Sequence, residues 1–152
     1  MTKIILSTFL SLFAATLFAQ DSAATFSFNH QALSVKDLNI SADFYKNVLG
    51  LREITNRSKL DGVRWFSLND QQELHLISFV KEPVEVNKAV HLGLTTNIAA
   101  FDAFVRKLDS LKIIYSDWPG NLKKINIRAD GIKQVFFQDP NGYWIEINSV
   151  PQ

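Results

Sequence analysis

The chain has 152 residues, with 16 lysines and arginines against 15 aspartates and glutamates. This balance does not favour binding to nucleic acid or to an anionic membrane surface. The chain contains no cysteine, which excludes disulfides and thiol nucleophiles, so any bound metal must be held by nitrogen and oxygen. The length allows one domain with a substantial core after an N-terminal segment, but not two independent domains.

Residues 1–19 have the composition of a secretory signal peptide. Lys3 precedes an apolar run over residues 4–18, and the small residue Ala19 follows at the expected cleavage site. The run has about fifteen residues, fewer than the roughly 20 needed to span a bilayer, so a cleaved signal is favoured over a retained anchor. We therefore expect a periplasmic or secreted protein without membrane contact after cleavage, and residues 20–25 as a short polar leader.

Apolar spacing and turn residues divide the rest of the chain into two similar modules, residues 26–80 and 89–150. The first module predicts a strand, a helix and three strands, over residues 28–36, 37–49, 51–57, 63–68 and 73–80. After a connector at 81–88, the second module repeats this order with one further strand, over residues 89–96, 98–111, 112–116, 123–129, 135–138 and 143–150. Two β-α-β-β-β modules predict an α+β fold in which they pair edge to edge into an incomplete mixed barrel, with the helices outside.

Alternation of side chains along these strands places the ionisable residues on faces that oppose aliphatic faces. This holds for His30, His91 and Glu146, and also for His75 with Glu73 two residues before it. A shared metal would satisfy such groups together, and two imidazoles with one carboxylate suit Zn, Ni, Mn or Fe while leaving coordination positions open. Alternation alone leaves open that each is an ordinary core or solvated residue.

Three stretches carry a family resemblance. They are HQALSVKDL with SADFYKNVLGL at 30–38 and 41–51, VHLGL at 90–94, and DPNGYWIEI at 139–147. Together they resemble the vicinal oxygen chelate family, which includes glyoxalase I, extradiol dioxygenases, fosfomycin-resistance enzymes and bleomycin-resistance proteins. The resemblance covers both modules, and the Asp-Pro-Asn-Gly turn fixes the register of Glu146.

The resemblance implies paired modules around a cup, in which His30, His91 and Glu146 hold a divalent metal that chelates substrate oxygens. The family's fourth metal-facing position falls on the strand over 73–80, where glyoxalase I has a glutamate. The Leu-His-Leu triplet puts His75 there, with Glu73 as the alternative after a shift of register. The catalytic candidates are Glu73, as a base, and Glu146, as the carboxylate at the metal.

These features predict an exported metal-dependent enzyme that acts on a small oxygenated molecule in a lyase-like (glyoxalase-like) or dioxygenase-like reaction. Export and the presence of His75 both disfavour a glutathione-dependent glyoxalase. The alternative is a non-enzymatic protein of the bleomycin-resistance type, which sequesters a ligand in the same cup.

Aromatic side chains are candidates to line this cup, and Arg64 is a candidate to bind an anionic substrate group. The aromatic candidates are Trp65, Trp118, Phe136 and Trp144. The resemblance also implies a homodimer, and the sequence leaves open whether the two chains exchange modules.

Overall fold

The structure is a computed structural model that describes residues 26–150. The predicted signal peptide and leader lie outside these residues. Within the described range, no helix is long and apolar enough to cross a membrane.

Each module has the predicted order of elements. The first module contains β1 His30–Ser34, α1 Leu38–Asn47, β2 Arg52–Ile54, β3 Val63–Ser67 and β4 Glu73–Ile77. The second contains β5 His91–Thr96, α2 Ile98–Ser110, β6 Tyr115–Ser116, β7 Asn126–Ile127, β8 Lys133–Gln138 and β9 Trp144–Ser149. The predicted elements are confirmed, and the differences lie at their ends, where most strands are shorter than predicted.

Polar side chains begin both helices. The Asp37 carboxylate accepts hydrogen bonds from the first turn of α1, and the Asn97 side chain accepts one from the first turn of α2. These caps satisfy backbone N–H groups that have no partner within the helix. After α1, Gly50 adopts a positive φ of 72°, and the N–H of Leu51 returns to the Tyr45 carbonyl at 3.1 Å. This is the helix ending that favours glycine.

The strands form two sheets of similar design. In the first, the order is β1-β4-β3-β2, and β1 runs parallel to β4. In the second, the order is β5-β9-β8-β6 with β7 also paired to β8, and β5 runs parallel to β9. No ladder joins the two sheets in the part of the chain that the structure describes. The α+β fold is confirmed, but β1 and β5 remain edge strands, and the expected edge-to-edge pairing is not made within one chain.

The aliphatic faces of both sheets pack with the two helices into one core. Leu33 of β1, Val35 directly after it, and Ile145 and Ile147 of β9 are buried, as alternation predicts. Phe137 of β8 joins the modules, because its ring contacts Phe44 of α1 and Phe104 of α2. The opposite faces of the sheets are left for the ionisable residues.

The turn between β8 and β9 binds the second module to α1. Asp139 in this turn is buried, and its carboxylate accepts a hydrogen bond from the Tyr45 hydroxyl at 3.0 Å. The same carboxylate accepts the backbone N–H groups of Asn141 and Tyr143 at 2.8 and 2.9 Å. The Asn141 side chain donates to the Ser41 hydroxyl at 2.9 Å. We call these five residues the inter-module latch.

Two further hydrogen bonds join β1 and the residues after it to the latch. The Lys36 N–H donates to the Asn141 side-chain oxygen at 2.9 Å, and the Tyr143 hydroxyl donates to the Ser34 carbonyl at 3.0 Å. Burial and the neighbouring Asp139 raise the pKa of Tyr45, so its hydroxyl stays protonated and remains a donor. The latch therefore pairs buried polar groups from both modules.

Replacing Tyr45 with phenylalanine removes one donor to a buried carboxylate. We expect Y45F to lower the free energy of unfolding by about 2 kcal/mol, because hydrogen bonds to charged groups contribute more than neutral ones. Urea unfolding followed by circular dichroism measures this. The matched control is Y115F, whose hydroxyl is 3.3 Å from the exposed Asp109; it should cost no more than about 0.5 kcal/mol. Equal losses of unfolding free energy in Y45F and Y115F would show that the latch hydrogen bond stabilises the protein no more than the control hydrogen bond does.

Candidate metal centre

The second sheet brings His91 and Glu146 into contact. His91 begins β5, Glu146 lies on the adjacent β9, and their Nε2 and Oε2 atoms are 2.7 Å apart. The other carboxylate oxygen of Glu146 accepts a hydrogen bond from the Gln134 side chain on β8. The Glu146 side chain is 9% exposed and that of His91 is 25% exposed. We call His91, Glu146 and Gln134 the second half-site.

Both ring nitrogens of His91 face acceptors. Nδ1 is 2.9 Å from the Lys88 carbonyl, so it carries a proton and donates. A singly protonated ring then has a lone pair on Nε2, which faces the Glu146 carboxylate. A cation, either a proton or a metal ion, must lie between these two groups to satisfy both. A backbone carbonyl on the far nitrogen is the usual support of a metal-binding histidine, so the pair fits a metal.

The first sheet carries a separate cluster of stacked rings. The His75 ring stacks on Trp65 with centroids 4.0 Å apart, and on its other side the centroid of His30 is 4.3 Å away. These three residues lie on the adjacent strands β1, β4 and β3. Trp65 is the direct register partner of His75. The Nδ1 atom of His30 is 2.8 Å from the Asn29 side-chain oxygen. We call this stack, with Glu73, the first half-site.

Glu73 is held on both sides of its carboxylate. Arg57 donates to one oxygen at 2.6 Å, and Nε2 of His75 is 2.9 Å from the other. The hydrogen bond from His75, and then that from Arg57, keep the pKa of Glu73 below its usual value. The Arg57 guanidinium also covers the Trp65 ring, at 4.7 Å from its centroid. Glu73 is therefore ionised, and its carboxylate, which contacts both Arg57 and His75, orients the His75 ring.

The four predicted metal residues do not meet within one chain. Over residues 26–150, no three histidine, aspartate or glutamate side chains form a group that could hold a metal ion. His30 and His75 lie in the first half-site, whereas His91 and Glu146 lie in the second. The sequence left open whether one chain or two supply these ligands, and within the described residues of one chain His30 does not join His91 and Glu146 in such a group.

Arg64 lies away from both half-sites. It is next to Trp65 in β3, so its side chain is on the opposite face of the sheet. There its guanidinium donates to the two carboxylate oxygens of Glu53 at 2.7 and 2.6 Å, and also to Asn39 of α1 at 3.2 Å. The hydrogen bonds from Arg64 to Glu53 lower the pKa of Glu53. The expected role of Arg64 in substrate binding is not supported by this placement.

Aromatic rings surround the second half-site. The ring of Phe136 is edge-on to that of His91 at 5.9 Å, and Trp118 is edge-on at 6.3 Å. Trp144 lies two residues before Glu146 on the same strand, and its ring centroid is 4.8 Å from the Lys88 ammonium. Burial lowers the pKa of Lys88, while the charge of Asp117 acts in the opposite direction. Three of the four aromatic candidates, Trp118, Phe136 and Trp144, thus lie in the region of His91, whereas Trp65 stacks on His75 in the first half-site.

Sequence analysis missed two residues of this region, Lys88 and Gln134. Lys88 belongs to the connector, where no periodic pattern predicts a direction for its side chain. Gln134 is two residues before Phe136 on β8, so alternation combined with the β8–β9 register, in which Phe136 faces Glu146, would have placed it on the same side.

Comparison with known proteins agrees with the fold and the motifs. The family model of the Glyoxalase/Bleomycin resistance protein/Dioxygenase superfamily matches residues 27–147. The chain therefore belongs to this superfamily, and the resemblance carried by the three sequence stretches is confirmed.

Individual relatives are distant. The metallothiol transferase FosB of Lysinibacillus sphaericus is 26% identical over 128 residues, which cover 81% of this chain and 82% of that protein. A glyoxalase/dioxygenase from Nostoc punctiforme has a similar structure, with a TM-score of 0.65, 25% identity, and coverage of 96% of this chain and 100% of that chain. The oxidase ChaP-H2 has a TM-score of 0.70 at 22% identity, covering 84% of this chain and 96% of that chain. The last similarity concerns the fold alone.

Proposed function

We propose that the protein is a metal-dependent enzyme whose centre is built from His91 and Glu146 of one chain and His30 of a second chain. The contact between His91 and Glu146 carries this proposal, because both ring nitrogens of His91 face acceptors and a cation is needed between them. Zn, Ni, Mn and Fe all accept two imidazoles and a carboxylate. The similarity to a metallothiol transferase supports metal dependence.

The free edges of the sheets support a second chain as the source of the third ligand. In the described residues, β1 and β5 each have one unpaired edge. Buried hydrogen bonds of the inter-module latch hold the two modules of one chain together, and in that arrangement His30 does not join His91 and Glu146 in a three-residue metal group among the described residues. A homodimer in which the first module of one chain faces the second module of the other leaves both latches intact.

The residues of the chain have distinct parts in the proposed reaction. A bound divalent metal supplies a Lewis acid that stabilises negative charge developing on substrate oxygens. Gln134 holds the Glu146 carboxylate, and the Lys88 carbonyl fixes the orientation of His91. Glu73 is ionised and can accept a proton, but its lowered pKa restricts it to protons that are already acidic. The aromatic walls beside His91 exclude water from an apolar part of the substrate.

The proposed substrate is a small oxygenated molecule, and the proposed reaction is lyase-like or dioxygenase-like. Diols, catechols and 2-oxoaldehyde adducts are the compounds to screen. The competing function is sequestration of a small molecule without a metal, in the same cup. Purified, metal-replete protein that contains no metal but binds a compound from the screen would favour sequestration.

Mixing two defective chains tests the shared centre. H30A keeps His91 and Glu146, and the double variant H91A/E146A keeps His30, so a heterodimer with exchanged modules contains one complete centre. We expect each variant alone to bind Zn²⁺ at least about tenfold more weakly than the parent, and the doubly tagged, co-purified heterodimer to recover about one tight site. Isothermal titration calorimetry measures both.

The parent protein is the reference for that experiment and should bind about one Zn²⁺ per chain. If the parent binds Zn²⁺ tightly and the heterodimer has no tight site, the three ligands come from one chain and the second-chain arrangement is wrong. If H91A/E146A alone binds as tightly as the parent, these residues are not ligands.

The same titration distinguishes the candidates for the fourth metal neighbour. We propose His75, because the Glu73 carboxylate is hydrogen-bonded to its Nε2 atom, as a supporting carboxylate of a metal-binding histidine would be. Among the described residues, Nε2 is the nitrogen of this ring that makes a hydrogen bond. H75A should then weaken Zn²⁺ binding by about tenfold or more, and by more than E73A does. The reverse order would make Glu73 the neighbour and the register shift correct.

We also propose that the protein is exported. The basic Lys3, the apolar run over residues 4–18 and the small Ala19 support this proposal. Mass spectrometry of protein from the periplasm or medium of the expressing cells should find a chain that begins at Gln20. Recovery of the full-length chain from the cytosol alone would contradict it.

A further inference from the structure

Lys88 contacts His91 of the second half-site and the residues around that half-site, although it is not a candidate ligand. It lies in the connector before β5, and its half-buried ammonium donates to the Ser116 hydroxyl at 2.9 Å. It also donates to the carbonyls of Asp117 and Trp118 at 2.6 and 3.1 Å. These acceptors use all three protons of the ammonium, so none remains for a substrate.

Aromatic rings complete the surroundings of this charge. The Lys88 nitrogen is 5.0 Å from the ring centroid of Phe136, 4.8 Å from that of Trp144 and 6.0 Å from that of Trp118. Each distance is within the range in which a cation is attracted to a ring face. Strands β8 and β9 and the segment after β6 therefore all hold the same ammonium group.

The backbone of Lys88 acts on the metal-binding side. Its carbonyl accepts the Nδ1 proton of His91 at 2.9 Å, which orients the imidazole toward Glu146. We call residues 117–122 the Trp118 loop. Lys88 thus contacts His91 through its backbone carbonyl and the Trp118 loop through its side chain. The Trp118 ring is 5.4 Å from Phe136 and 6.3 Å from His91, and Trp118 is 47% exposed.

We propose that Lys88 is a positioning residue whose side chain holds the Trp118 loop against His91, so that Trp118 forms a fixed wall of the substrate cup. The loop alone does not account for this position. Asp117 caps it internally by accepting the N–H groups of Gly120 and Asn121 at 2.9 and 2.8 Å, and Leu122 forms a β-bridge with Ser116, but these contacts tie the loop to itself and to β6. Lys88 ties it to the half-site. The part of this role that concerns substrate rests on the proposed function.

Amide hydrogen exchange tests the clamp without metal or substrate. K88M keeps the length of the side chain and the backbone carbonyl but loses the ammonium. We expect amide exchange in the Trp118 loop to become about tenfold faster in K88M, while exchange in the β8 and β9 core stays unchanged. K88R keeps the charge and the donors and should recover most of the protection. Equal loop exchange in K88M and the parent would overturn the proposal.

The matched control is K123M. Lys123 follows the loop directly, and its ammonium is 3.2 Å from Asp109, but its side chain is 70% exposed and it does not contact the aromatic rings. K123M should leave loop exchange at the parental rate. An equal acceleration in K123M and K88M would mean that any lost lysine in this region loosens the loop, and it would also overturn the proposal.

Fluorescence quenching by bound Ni²⁺ tests the position of Trp118 relative to His91. The share of the quenching that comes from Trp118 is the difference in quenching between the parent and W118F. We expect K88M, measured at saturating Ni²⁺, to lose most of this share, because Trp118 is then no longer held beside His91. An unchanged share would contradict the clamp. If the parent binds neither Ni²⁺ nor Zn²⁺, the proposed metal function fails, and the exchange result still decides the clamp.

Discussion

The arrangement of this protein depends on the buried Asp139 carboxylate. It lies in the turn between β8 and β9, and it gathers the Tyr45 hydroxyl of α1 together with two N–H groups of its own turn. Leaving such a carboxylate buried without these donors would be costly, so the turn and α1 must meet in one geometry. The relative position of the two modules is set by this requirement and by the shared core around Phe137.

That position decides what the candidate centre can be. Each sheet presents its ionisable residues on the face away from the helices, and each face carries only part of a ligand set. The second half-site is strongly organised, since His91 is oriented by a carbonyl and Glu146 by an amide. The first is organised differently, through stacked rings and an ion pair. Among the described residues, neither set forms a group of three side chains that could hold a metal ion.

Much of the fold followed from local patterns. Alternation and helical spacing located all eleven elements, because burial of one face imposes a period on the sequence. The same reasoning correctly separated the aliphatic faces from those that carry the histidines. It also contained enough information to exclude Arg64 from the cup, because Arg64 and Trp65 are neighbours in one strand and cannot share a face.

The division of the candidate ligands between two half-sites did not follow from the sequence. Strand faces are local properties, whereas the docking of two modules depends on contacts between residues far apart in the chain, such as Tyr45 and Asp139. The role of Lys88 was also hidden, because the connector has no periodic pattern. The choice between His75 and Glu73 also depends on contacts that no spacing reveals, namely the stacking of His75 between two rings and its hydrogen bond with Glu73.

The pairing of strands has a consequence for the order in which the chain folds. Among the described residues every ladder lies within one module, and the longest separations that the ladders close are 43 positions, from His30 to Glu73, and 53 positions, from His91 to Trp144. The latch instead joins residues 94 and 100 positions apart, from Tyr45 to Asp139 and from Ser41 to Asn141. Closing a longer loop has a larger entropic cost, which is repaid only when both partners are already formed. The two sheets should therefore form first, and the docking of one module on the other should be a late, separate event in folding.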